Sequence, residues 1–145
     1  VILEDWLNNG WLVVHGTSPQ EINDLFGVAD RDLLDCQAEG LSADWKMSIA
    51  YNAGLQSATA ALAAAGYRAT RDAHHYRVIQ SLAYTIGAEA KVIAKFNEFR
   101  KKRNIGGYER AGLVSDHEAD EMLALARQLR GRVACWIHED HPELL

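Results

Sequence analysis

The sequence predicts an all-α fold, an antiparallel up-and-down bundle of about five helices in a single domain spanning residues 1–145. Three observations carry this. Apolar side chains recur at intervals of three and four residues, as in Tyr51, Leu55, Ala58, Leu62 and Ala65 and again in Ala119, Met122, Ala126, Leu129, Val133 and Trp136. The chain has only two prolines, Pro19 and Pro142, both at expected helix margins, so nothing interrupts the periodic stretches between them. Alternating strand patterns, internal repeats and low-complexity segments are lacking.

Each element follows from local chemistry. Residues 1–16 hold Leu3, Trp6, Leu7, Trp11 and Leu12 around the stop Asn8-Asn9-Gly10, and read as a helical turn and an apolar tail packed on the bundle. Ser18-Pro19-Gln20-Glu21 begins the first long helix, with a capping hydroxyl and a proline at the first position. Its inward stripe is Ile22, Leu25, Phe26, Ala29, Leu33 and Cys36, and Gly40 is the expected end. Ser42 or Asp44 caps the next helix, which Gly66-Tyr67 closes, and its alanines at 58–65 allow a neighbouring helix to come close. Asn52 and Gln56, one turn apart, read as a satisfied polar pair. Thr70 or Asp72 opens a helix with His75, Ile79, Leu82 and Ile86 on one face, and Gly87 separates it from the helix ending at Arg103. Ser115-Asp116-His117-Glu118 is a capping box before the last helix.

A 145-residue chain of 16.1 kDa is long enough for a real core, burying about 68–70% of its unfolded surface. The net charge of −5 argues against a protein that coats nucleic acid with its whole surface. The charge is uneven, because residues 95–110 hold six basic and two acidic side chains, leaving +4 there and −9 elsewhere. A basic spot on an acidic body suits a focused phosphate contact, although a solvated face is the commoner outcome of such a run. Cys36 and Cys135 lack metal-ligand spacing and read as buried thiols. No stretch reaches the length of a membrane span and residues 1–14 lack a signal-peptide pattern, so the cytoplasm is the expected compartment.

The chemistry is expected to centre on residues 96–112. Val92, Phe96, Phe99 and Arg103 share one helical face, so Arg103 continues an apolar stripe and requires an anion, a groove or an interface. Arg100, Lys101 and Lys102 are explained by the dipole of a helix end, with contact to a ligand as their functional reading, shared by Arg110. Asn104 suits a helix terminus, and Gly106-Gly107 allow a turn that brings Tyr108 back beside Arg103. His74 and His75 are adjacent and not expected to face one site, which speaks against a joint metal role; either could serve as a general acid or base. His138 and His141 read as a solvated terminus rather than a metal site. Carboxylate-histidine helix motifs, nucleotide loops and nucleophile elbows are absent, and no cofactor or metal is expected.

The motif Arg103-Asn104-Ile105-Gly106-Gly107-Tyr108 resembles the Arg-containing loop of HEPN domains, with Tyr108 where that family's histidine stands. Asp44-Trp45, Ala50-Tyr51-Asn52-Ala53, Gly66-Tyr67-Arg68 and His74-His75 read like a bacterial, largely uncharacterised branch of the family. The resemblance implies a HEPN-like bundle that binds RNA or a nucleotide as a homodimer. It also implies a link to metal-independent RNA cleavage and to toxin-antitoxin systems with a nucleotidyltransferase-type partner. Arg103, Asn104 and Tyr108 would carry the chemistry, with Arg100, Lys101, Lys102, Arg110, His74 and His75 around the substrate. The alternative is a noncatalytic helical dimer in which Arg103 is structural.

Overall fold

The computed structural model describes residues 2–106 and 114–145, the side chains of 104–106 excepted. Among these residues lie six α-helices and a two-stranded ribbon. In chain order they are α1 (Ile2–Asn8), β1 (Leu12–Val14), α2 (Pro19–Asp35), α3 (Ala43–Ala64), β2 (Tyr67–Ala69), α4 (His74–Ser81), α5 (Ala90–Gly106) and α6 (Asp116–Asp140), followed by a 3₁₀ turn at Pro142–Leu144. The fold is predominantly helical, and no helix is long and apolar enough to cross a membrane.

α3 is the hub. It packs most extensively on α6 and α2, and also meets α4, α5 and β2. The reason is in its side chains, since Ala50, Ala53, Gly54, Ala58, Ala60 and Ala61 leave room for neighbouring backbones to close in. The closest approach is at Gly54, where an added Cβ would stand 3.1 Å from Phe96 Cζ, 3.6 Å from Met122 Cε and 3.7 Å from Leu129 Cδ1. Leu62, Met47, Phe96, Met122, Leu129 and Ile137 fill the core around it.

The starts of α2, α3 and α6 follow their expected caps. Ser18 accepts from Glu21 N–H, Ser42 from Trp45 N–H, and Ser115 and Glu118 form a reciprocal box. The Glu21 side chain does not close such a box; it takes hydrogen bonds from Thr17 Oγ1 at 2.6 Å and meets His15 Nε2 at 2.8 Å.

Four expectations are corrected. The apolar tail after Gly10 is a strand, β1, paired antiparallel with β2 in the register Leu12–Ala69, Val13–Arg68 and Val14–Tyr67. Three residues are too few to display alternation, and the ribbon owes its place to Leu12 and Ala69, both buried against the bundle. α2 stops at Asp35, before Gly40, as Gln37 and Ala38 N–H bond to Leu34 and Asp35 carbonyls in tightened turns. α4 opens on neither Thr70 nor Asp72 but after Ala73, whose backbone is left-handed at φ 51°, and it ends at Ser81, before Ile86. Cys36 is buried, whereas Cys135 is exposed.

Asn52 and Gln56 form the expected pair, with Gln56 Nε2 donating to Asn52 Oδ1 at 3.2 Å. Asn52 Nδ2 in turn donates to Asp32 Oδ2 at 2.7 Å. This explains a charge on the inward side of α2, where Asp32 is buried while Leu34 is exposed.

Candidate functional site

The face of α5 that begins with Val92 carries Phe96 and Phe99 into the core, and Arg103 stands at the end of that stripe, partly buried. Phe96 meets Tyr51 of α3 edge to face, with ring centroids 5.4 Å apart. One turn beyond Phe99, the Arg103 guanidinium lies 5.2 Å from the centre of the Tyr51 ring. A cation over an aromatic face in a partly desolvated place is stabilised by about 0.5–2 kcal/mol. This is how the helix tolerates a guanidinium where an apolar side chain belongs.

Tyr51 is fully buried on α3, and its hydroxyl lies 3.4 Å from His75 Nδ1 on α4. Burial pushes the phenol up to about 12, with Arg103 and Arg100 pulling the other way, so it stays protonated at neutral pH. His75 is shifted in the opposite sense: burial, then Arg103, His74 and Arg100, hold its imidazole below the usual histidine range. It is therefore a neutral group at neutral pH.

His74 behaves differently. Its Nδ1 lies 3.2 Å from both the Ala69 and Thr70 carbonyls. Carbonyl oxygens only accept, so Nδ1 carries the hydrogen and Nε2 is the atom left to bind or release a proton. The rings of His74 and His75 are 5.9 Å apart, and both line a cleft of about 450 Å³ together with Arg71, Ala73, Tyr76 and Arg100. The expectation that adjacent histidines face apart is thus corrected. The left-handed turn at Ala73 ends the preceding segment and places both histidines in the first turn of α4, where His74 folds back on the chain before it.

Among the described residues no carboxylate lines this cleft, whereas two arginines do. Arg100 donates from Nε to Asn97 Oδ1 at 2.8 Å, and its guanidinium lies 5.6 Å from the Tyr76 ring centre, so its charge is oriented but not neutralised by those partners. A concave, cationic and aromatic wall of this kind attracts a phosphate-bearing ligand.

Of the residues expected around the loop, Lys102 forms an ion pair with Glu118 of α6, and Lys101 is exposed. Tyr108 and Arg110 lie outside the described residues, as does the Asn104 side chain. The sequence did not single out Arg71 or Tyr76, and it gave Tyr51 no chemical role. The only hint was that Tyr51 heads the α3 stripe as a polar-tipped residue, a position more often explained by packing. At the C-terminus His141 meets Trp136 edge to face at 4.9 Å while His138 is exposed, so the two histidines take separate surroundings.

No family model, curated protein or solved structure matches this chain.

Proposed function

We propose that the chain is a HEPN-type module whose α4–α5 cleft binds the phosphates of RNA or a nucleotide. The observation that carries this reading is a cluster of cations around a cleft with no carboxylate among its described lining residues: Arg71 and Arg100 in the lining, with Arg103 held over Tyr51 beside His75. Arg103 and Arg100 take phosphate oxygens and Tyr76 offers a ring to a base. The resemblance of Arg103-Asn104 and Tyr108 to the HEPN loop supports the same reading.

The reading extends to metal-independent cleavage of RNA. The ribose 2′-hydroxyl attacks the adjacent phosphorus, the bond to the 5′-oxygen breaks, and Arg103 stabilises the added negative charge. Tyr51 cannot take the 2′-hydroxyl proton, since its own proton is held to about 12. His74 Nε2 is the available acceptor, with Nδ1 fixed by two carbonyls. As the resemblance implies, the module acts as a homodimer and pairs with a nucleotidyltransferase-type protein.

Binding of single-stranded RNA across a salt series tests the reading. Arg103→Ala and Arg100→Ala should each weaken binding and lower the salt slope by about 0.7. Incubation with RNA in chelator should release products that Arg103→Ala does not. Unchanged affinity and slope in both variants would sink the proposal.

A second reading is favoured by the Arg103–Tyr51 stack itself, which can be purely structural in a noncatalytic dimer. Under it, Arg103→Ala lowers stability or dissociates the dimer and leaves RNA binding where it was.

A further inference from the structure

Beside the cleft runs a row of four planar side chains that the cleft itself does not use. The ring of Tyr84, in the turn after α4, lies 5.5 Å from Trp6 of α1, and Trp6 lies 6.0 Å from Trp11, both edge to face. Arg77 of α4 ends the row, its guanidinium 3.6 Å from the Trp11 ring centre. Arg77 Nε is buried without a hydrogen-bond acceptor, and it is alone in this among the side-chain atoms of the described residues.

Attachment of the N-terminal segment does not demand this row. Leu3 and Leu12 are the buried anchors, while Trp6 and Trp11 stay half-buried and Tyr84 is 46% exposed. The row adjoins the cleft through the backbone around Thr70. The Trp11 carbonyl accepts from the Thr70 N–H at 3.0 Å and the Thr70 carbonyl accepts from His74 Nδ1, while Arg77 stands one turn beyond His74 on α4. Arginines thus continue from the cleft along α4, with aromatic rings beyond them. α1 carries Glu4 and Asp5, so a phosphate backbone would follow the α4 side of the row.

We infer that this row is a stacking platform for unpaired bases, which makes the ligand of the cleft single-stranded RNA rather than a free nucleotide or a duplex. The inference rests on the phosphate-binding reading of the cleft. Stacking on aromatic faces tolerates any base, and the guanidinium of Arg77 supplies the phosphate contact between cleft and rings. Bases paired within a duplex are already stacked on each other and cannot reach the platform.

The test compares uridine monophosphate, a uridylate strand of about eight nucleotides and an RNA duplex of the same length, by tryptophan fluorescence and anisotropy. Wild type should bind the single strand more tightly than either other probe. Tyr84→Ala and Arg77→Gln should each weaken the strand by about five- to hundredfold and leave the monophosphate unchanged, and Tyr84→Trp should restore the strand. If both variants melt like wild type and bind the strand equally well, the platform is refuted and the row is only an anchor for α1. Arg103→Ala separates the two claims. Loss of both the strand and the monophosphate in Arg103→Ala, with Tyr84→Ala silent, upholds the cleft and overturns the platform. Loss of the strand in Tyr84→Ala, with Arg103→Ala and Arg100→Ala both silent, upholds the platform and overturns the cleft.

Discussion

Gly54→Ala tests the packing that carries the site. A glycine inside a helix is worse than alanine by about 1 kcal/mol, so propensity alone predicts a more stable protein. The tertiary contacts predict the reverse. The new methyl would sit 3.1 Å from Phe96 Cζ, tight enough that the ring must give by a few tenths of an ångström, and at ordinary distances from Met122 and Leu129. Phe96 is fully buried and has Tyr51 edge-on at 5.4 Å, so its ring has no free space to enter. Overpacking of this kind costs about 1–3 kcal/mol, which leaves a net loss of about 1 kcal/mol. Urea unfolding should show a lower midpoint at unchanged slope, and melting should fall by about 2–4 °C. Phe96→Leu provides the control, because a shorter side chain removes the clash and Gly54→Ala should then cost less. Stabilisation by Gly54→Ala, or an equal cost in both backgrounds, would refute the account of α3 as a helix opened by small residues.

Three further outcomes are expected. Burial holds the folded His75 below the ordinary histidine pKa, so the unfolded chain takes up the proton first and stability should fall as pH drops through about 6.5. His75→Gln should remove part of that acid loss and Arg103→Ala should reduce it, as urea midpoints at about pH 5 and about pH 7.5 would report; a pH response identical to wild type in both variants contradicts this. Ala73→Gly should stabilise the fold by up to about 1 kcal/mol, because φ 51° is strained for alanine and free for glycine; a loss of stability would show that the turn is held by something other than backbone preference. A thiol reagent should modify Cys135 at once and Cys36 only on unfolding, since Cys36 is 1% exposed and burial raises its thiol pKa; two equal fast phases would contradict the packing of α2.

The caps and stripes were legible because their causes are local. Ser18, Ser42 and Ser115 bond within three residues of themselves, and a run such as Ala119 to Trp136 exposes one face at every turn. The oddity of Arg103 was legible for the same reason: its spacing from Phe99 sets its face of α5 without reference to any other element. The pairing of Leu12 with Ala69, the stacking of Arg103 on Tyr51 and the sharing of one cleft by His74, His75 and Arg100 depend on where separate helices lie. The sequence by itself therefore determined the long helices, the caps at Ser18, Ser42 and Ser115 and the odd position of Arg103, but not the end of α2 or the bounds of α4, since hydrogen bonds and periodicity act over a few residues. Only the tertiary structure decided what meets that charge, because those partners lie tens of residues apart and are brought together by burial around α3.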